Sequence, residues 1–284
     1  MLEMLISPQK AERAPWELFF VGLFYASLSI LLVHWIFSKD AVLSPYSGIL
    51  IVTFTVMFSM PFVYYTIRLE EGKICCQRGT LALLKEHEKA IFAFLWLFLG
   101  FVVAFSFWYM VLPSSTGFKA QIETYCIINQ PSDFEACASK YATGKFINSD
   151  MAASTERLLT IFSNNVYVLI FTLIFSLVFG AGVIFILAWN ASVIAAAVGI
   201  FANSNLTYFP LGIARFMIHG LPEIASYFIV ALAGGIFSVA VIKHEAGTNK
   251  IWEILQDSVN LIIVAIVILF LAALIEVYVT PMLF

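Results

Sequence analysis

An all-α, polytopic transmembrane helical bundle of about seven spans is the fold this sequence predicts, on three observations. The 284 residues are 62% hydrophobic and only 12% charged, with a mean hydropathy of +0.96. A soluble domain sits near half apolar and a quarter charged. The apolar residues come in long unbroken runs rather than as scattered core positions. Between Leu158 and Ala214 there is no Lys, Arg, Asp or Glu at all. The runs do not alternate in polarity, which sets aside a β-barrel, so each crossing has to be helical to satisfy its backbone in lipid.

Taken in order, Leu18–Ser38 is the first charge-free run and the first span. The N-terminal MLEMLISPQKAERAPW mixes acidic with basic residues ahead of it, a pattern of a retained span rather than a cleaved signal. Ala41–Ile67 is the second span, entered through a turn with Lys39, Asp40 and Pro45. Ala90 to about Leu112 is the third, stopped by Pro113. The 158–214 run holds a fourth span, Leu159–Ala188, and a short fifth, Asn190–Phe201. That fifth segment is Ala- and Gly-rich and has about a dozen residues, against roughly 17 for a full crossing; it reads as tilted or re-entrant. Pro222–Ile242 is the sixth span and Ser258–Thr280 the seventh. Three regions follow: a three-span part (1–112), a polar loop (113–157) and a four-span part (158–284).

Lys and Arg in the loops set the expected orientation. Arg68, Lys73, Arg78, Lys85 and Lys89 lie between spans two and three, and Lys10 and Arg13 precede span one. Both segments are assigned to the cytoplasm, in a multi-pass protein of the plasma membrane. The loop 113–157 then lies outside, where Cys126 and Cys137 are read as a disulfide. Cys75 and Cys76 lack a CxxC spacing and are read as ordinary thiols. Lys85, Glu86, Glu88 and Lys89 are read as a solvated helix end, and His87 is given no role. The small net charge of −3 and the lack of a basic stripe exclude a nucleic-acid partner. Trp16, Trp35 and Trp108 sit near span ends, as interface anchors do.

Ionisable and amide side chains inside the apolar runs are the candidate site, because such groups are costly in lipid and tend to be paired or functional. Asn164 and Asn165 fall in FSNN, Asn190 in WNAS, Arg215, His219 and Glu223 in RFMIHGLPE, and Glu276 in LIEVYVTP. Gly220 and Pro222 predict a helix break, with span six starting near Pro222. Asn164, Asn165, His219, Glu223 and Glu276 are expected to converge at similar depth, with Asn190 on the opposite side unless span five is re-entrant. Three readings of the cluster stay open. One is a hydrogen-bonded network in which Arg215 neutralises a Glu. Another is a divalent metal such as zinc on His219, Glu223 and Glu276, since one imidazole and two carboxylates suit that ion. The last is a proton relay. No residue is assigned a catalytic role. Gly180, Gly182, Gly234 and Gly235, with Ala231 and Ala233, are read as close-packing faces, with a homodimer as one use.

These residues carry a resemblance. Phe162, Asn164 and Asn165, then Gly180 and Gly182, Asn190, His219, Gly220 and Glu223, the AGG at 233–235, and Glu276 with Pro281 follow in an order that resembles the stage II sporulation protein M-like family of membrane proteins, over about 155–284. Asn190 is followed by Ala where the family often has Gly. The resemblance implies a shared intramembrane site, and its sporulation member resembles a membrane anchor for envelope-degrading partners. The leading functional expectation is a non-enzymatic membrane scaffold or assembly factor, with the lipid bilayer and other membrane or envelope proteins as partners. The alternatives are a transporter or channel-like protein for a small ion or solute, and a metal-dependent intramembrane hydrolase.

Overall fold

The structure, a computed structural model, describes residues 5–71, 80–112, 115–129, 135, 137, 154–179, 183–202, 205–242 and 249–284. Cys75 and Cys76, Lys73, Arg78, Gly180 and Gly182 lie outside the described residues. Helix α1 is Pro8–Arg13, α2 Glu17–Phe37, α3 Ser47–Glu71, α4 Thr80–Val111 and α5 Lys119–Asn129. They are followed by α6 Ser154–Phe179, α7 Val183–Phe201, α8 Phe209–Ile242, α9 Asn249–Leu274 and α10 Thr280–Leu283. A π-turn, Ile275–Val279, joins α9 to α10. Among the described residues there is no strand. Among the described residues, seven helices are long and apolar enough to cross a membrane, namely α2, α3, α4, α6, α7, α8 and the joined α9–α10.

Local chemistry accounts for the element ends. Ser7 accepts from the Lys10 amide (3.4 Å) with Pro8 at the first turn, so α1 starts there. Asp40 Oδ1 accepts from the amides of Val42 and Leu43, both at 2.8 Å, and turns the chain from α2 into α3. The amides of Leu43 and then Val42 hold the Asp40 carboxyl below the usual carboxylate range.

The fourth and fifth spans divide differently from the sequence reading. Helix α6 ends at Phe179, and α7 starts at Val183 and is a 19-residue helix rather than a half-span. At 1.5 Å per residue it is about 28 Å long, enough to cross the hydrocarbon. Its Ala and Gly content reflects its place. α7 is the central pillar, packed against α3, α4, α5 and α8, and small side chains let those neighbours approach it. A Cβ on Gly199 would collide with the Tyr109 ring.

Small residues also fix the two other tight crossings. Gly22 of α2 and Gly100 of α4 face each other, and a Cβ on either would run into the opposing backbone, Leu97 O for Gly22 and Phe19 O for Gly100. Trp108 donates to Ser27 Oγ across the same pair (3.0 Å) and ties the two helices together. Trp16 and Trp35 are exposed. On α8, Gly234 and Gly235 lie against Ser176, whose hydroxyl donates to Ala231 O, while Ser238 donates to Leu177 O (2.9 Å) and Ser258 to Ala233 O (3.2 Å). The small face of α8 is therefore used inside the protomer, against α6 and α9, and is not a free dimer face.

Helix α4 begins at Thr80, ten residues before the predicted span. Lys85, Glu88 and Lys89 are exposed in its first turns, as the reading of a solvated helix end has them, and His87 is the exception. His87 is buried, and its Nδ1 lies 2.6 Å from Oε2 of the equally buried Glu70 on α3. The charged letters around His87 face outward, and the imidazole itself faces the neighbouring helix.

Candidate functional site

Helix α8 runs without a break through Gly220 and Pro222 for 34 residues. The break expected there does not occur. Proline removes one amide and crowds the carbonyl four residues back, but the residues around it are held by neighbours: His219, Gly220 and Ile224 are buried. Gly220 serves packing, with Met217 and Ile194 in contact distance of its missing Cβ. The consequence is a register. Arg215, His219, Glu223 and Tyr227 recur every four residues and share one face over about 18 Å of helix.

Each member of this stripe has a partner. The Tyr227 hydroxyl donates to Glu223 Oε1 at 2.8 Å, one turn along the same helix. The buried Asn165 of α6 reaches the same carboxylate, and Asn164 Nδ2 donates to Asn165 Oδ1 at 3.4 Å. Ser226 donates to the Glu223 carbonyl at 2.6 Å.

Glu276 sits in the π-turn. Such single-turn widenings recur at functional sites because they re-aim side chains. The Thr280 hydroxyl donates to the Ile275 carbonyl (3.1 Å), which leaves its oxygen to accept from His219 Nδ1 (3.3 Å). The other imidazole nitrogen, Nε2, then faces Glu276 Oε2 at 4.0 Å, in ion-pair range and beyond hydrogen-bond length. The two carboxylates, Glu223 and Glu276, are close enough to act on each other through space. Arg157, at the start of α6, acts on both Glu276 and His219.

The structure thus brings Asn164, Asn165, His219, Glu223 and Glu276 together from α6, α8 and the α9–α10 junction. Two of the named residues play other parts. Arg215 does not pair with a glutamate; its Nη1 donates to the Phe284 main-chain oxygen (3.3 Å) and its guanidinium lies 4.9 Å from the Phe201 ring centre. Asn190 lies in the middle of α7 and donates to its own helix, at Ile186 O (2.8 Å). Among the described residues, no three His, Cys, Asp or Glu are grouped to hold a metal ion. His219 and Glu276 are near each other, while Glu223 Oε1 is occupied by Tyr227.

With seven alternating crossings, the start of α6, the start of α8 and the end of α10 share one end of the bundle with α5. At that end the Cys126–Cys137 disulfide forms, with Cα atoms 5.8 Å apart and both residues buried. Gln121 of α5 donates to Gly48 O (2.9 Å) and ties the loop helix to α3. The polar cluster lies nearer this end than the end that carries Glu70 and His87.

The family model for stage II sporulation protein M matches residues 89–281. The chain belongs to the stage II sporulation protein M family. The match covers about two thirds of the chain and takes in α4 from Lys89 onward, the disulfide loop and every member of the polar cluster, so the family region begins earlier than the 155–284 carried by the sequence resemblance. No curated protein and no solved structure matches the chain.

The sequence reading missed Tyr227, Thr280 and Arg157. Tyr227 continues the four-residue series begun at Arg215, and Thr280 lies one turn past Glu276; those spacings were the available signals. Arg157 was counted with the loop because it marks the edge of the charge-free run.

Proposed function

We propose that this family member is a non-enzymatic membrane scaffold or assembly factor whose helix arrangement is locked by the His219–Glu223–Glu276 network. The observation that carries this reading is mutual pairing. Asn165 of α6 reaches the Glu223 carboxylate of α8, and His219 of α8 bonds Thr280 and lies 4.0 Å from Glu276 at the α9–α10 junction, as buried polar groups that hold helices in register do. Lys and Arg between spans two and three and ahead of span one support an orientation with the N-terminus in the cytoplasm and the disulfide end outside.

His219→Ala and Glu223→Gln test the reading in purified protein and in proteoliposomes. The scaffold reading predicts a lower unfolding temperature for both variants, and no proton or cation flux above that of empty liposomes for the wild type. Flux that Glu223→Gln abolishes while the fold survives would replace it with a transporter. That second reading is favoured by one observation, two carboxylates near enough to interact, one of them carried by a π-turn. Elemental analysis of gently purified protein completes the test: stoichiometric metal lost in His219→Ala would convert the network into a coordinated site.

A further inference from the structure

Helix α6 is the least enclosed of the seven spans, with 22% of its apolar window buried. Its outward face carries Ser163, Tyr167, Ile170 and Ile174, spaced 4-3-4, with Leu159 and Phe171 beside them. This is the spacing with which one helix meshes with another. Tyr167 stands out on that face. It lies at the midpoint of the Arg157–Leu177 span and is 72% exposed. Ten residues separate it from either end, about 15 Å of helix. A phenol is well short of that distance, so its hydroxyl cannot reach the headgroups as an interfacial tyrosine does. Among the described residues nothing hydrogen-bonds to this hydroxyl. A polar hydrogen left bare in hydrocarbon is costly.

The missing partner must offer a donor or acceptor at the same depth. We infer that α6 is a self-association face, on which a second copy of this chain packs so that the two Tyr167 hydroxyls meet at the bilayer centre. Copies inserted in the same orientation and related by a two-fold axis along the membrane normal place identical residues at identical depth. A hydroxyl both donates and accepts, so the face is complementary to itself. No charge lies on it to repel its copy, since Lys, Arg, Asp and Glu are absent from Leu158 to Ala214. The inference stands apart from the scaffold reading and survives if that reading fails.

Cysteine cross-linking in native membranes tests it, in a background with Cys75→Ser and Cys76→Ser. Tyr167→Cys and Ile170→Cys give an oxidised species of twice the chain mass. Met57→Cys, at the middle of α3 and also exposed, gives none. In liposomes, Tyr167→Phe raises the dimer dissociation constant about 3-fold to 30-fold, as the loss of an interhelical hydrogen bond does in lipid. A wild-type protein that is monomeric in liposomes overturns the inference. So does equal cross-linking at Met57→Cys, an unchanged constant in Tyr167→Phe, or a Tyr167→Cys adduct with a different protein.

Discussion

Tyr227 is the residue on which the candidate site turns most sharply. Its hydroxyl is the hydrogen-bond donor to Glu223 along α8, and the side chain is fully buried. Tyr227→Phe keeps the ring and removes the donor, leaving a carboxylate oxygen without its partner. The expected cost is about 1–2 kcal/mol, read as a lower midpoint in detergent unfolding; an unchanged midpoint would mean the bond contributes nothing. His219, Glu223 and Glu276 were legible in the sequence because a charge inside an apolar run is rare and expensive. Tyr227 and Thr280 were not, because hydroxyl residues are tolerated anywhere along a span and only their bonded partners distinguish them. His87 was illegible for a different reason. KEHEK has the composition of a solvated helix end, and the partner that buries the imidazole, Glu70, lies on the previous helix.

At the scale of elements, close approach rather than propensity decides the packing. Gly100→Val places a branched side chain against the backbone of α2 at Phe19 and Leu23. Overpacking of this kind costs about 1–3 kcal/mol, and here it also pushes apart the crossing that Gly22 and Gly100 share. Gly117→Ala, with open space around its missing Cβ, is the matched control and leaves the unfolding midpoint unchanged. Equal effects from the two substitutions would show that the crossing does not depend on that contact. Local rules failed where tertiary structure outweighed them. Pro222 follows the pattern of a helix start, yet packing on both sides carries α8 through it. The Ala-rich stretch after Asn190 looked too short to cross, yet α7 begins at Val183 and is the central helix of the bundle.

For the whole molecule, the seven-span count was legible because apolar runs of bilayer length are the strongest signal a sequence holds. The relation between the runs was not, since lipid-facing and protein-facing sides are equally apolar and only small residues mark the contacts. Alternating crossings put α5 and the disulfide on the end opposite to α1 and the start of α4. Single cysteines at Lys10 and Lys119, probed with an impermeant thiol reagent on intact cells, should react at Lys119 alone in the proposed orientation. Reaction at Lys10 alone would invert the protein, and reaction at both would break the seven-span count. The polar network is what such a bundle needs at its least enclosed corner, where α6 and α9 contribute little buried apolar surface and hydrogen bonds between spans hold the register. A double-mutant cycle on unfolding stability, pairing His219→Ala with Thr280→Val in lipid, tests that claim most directly. The lock predicts single-variant losses that fail to add, with a coupling of about 0.5–2 kcal/mol; losses that add fully would show that the two side chains do not act on each other and that the spans are held by packing alone.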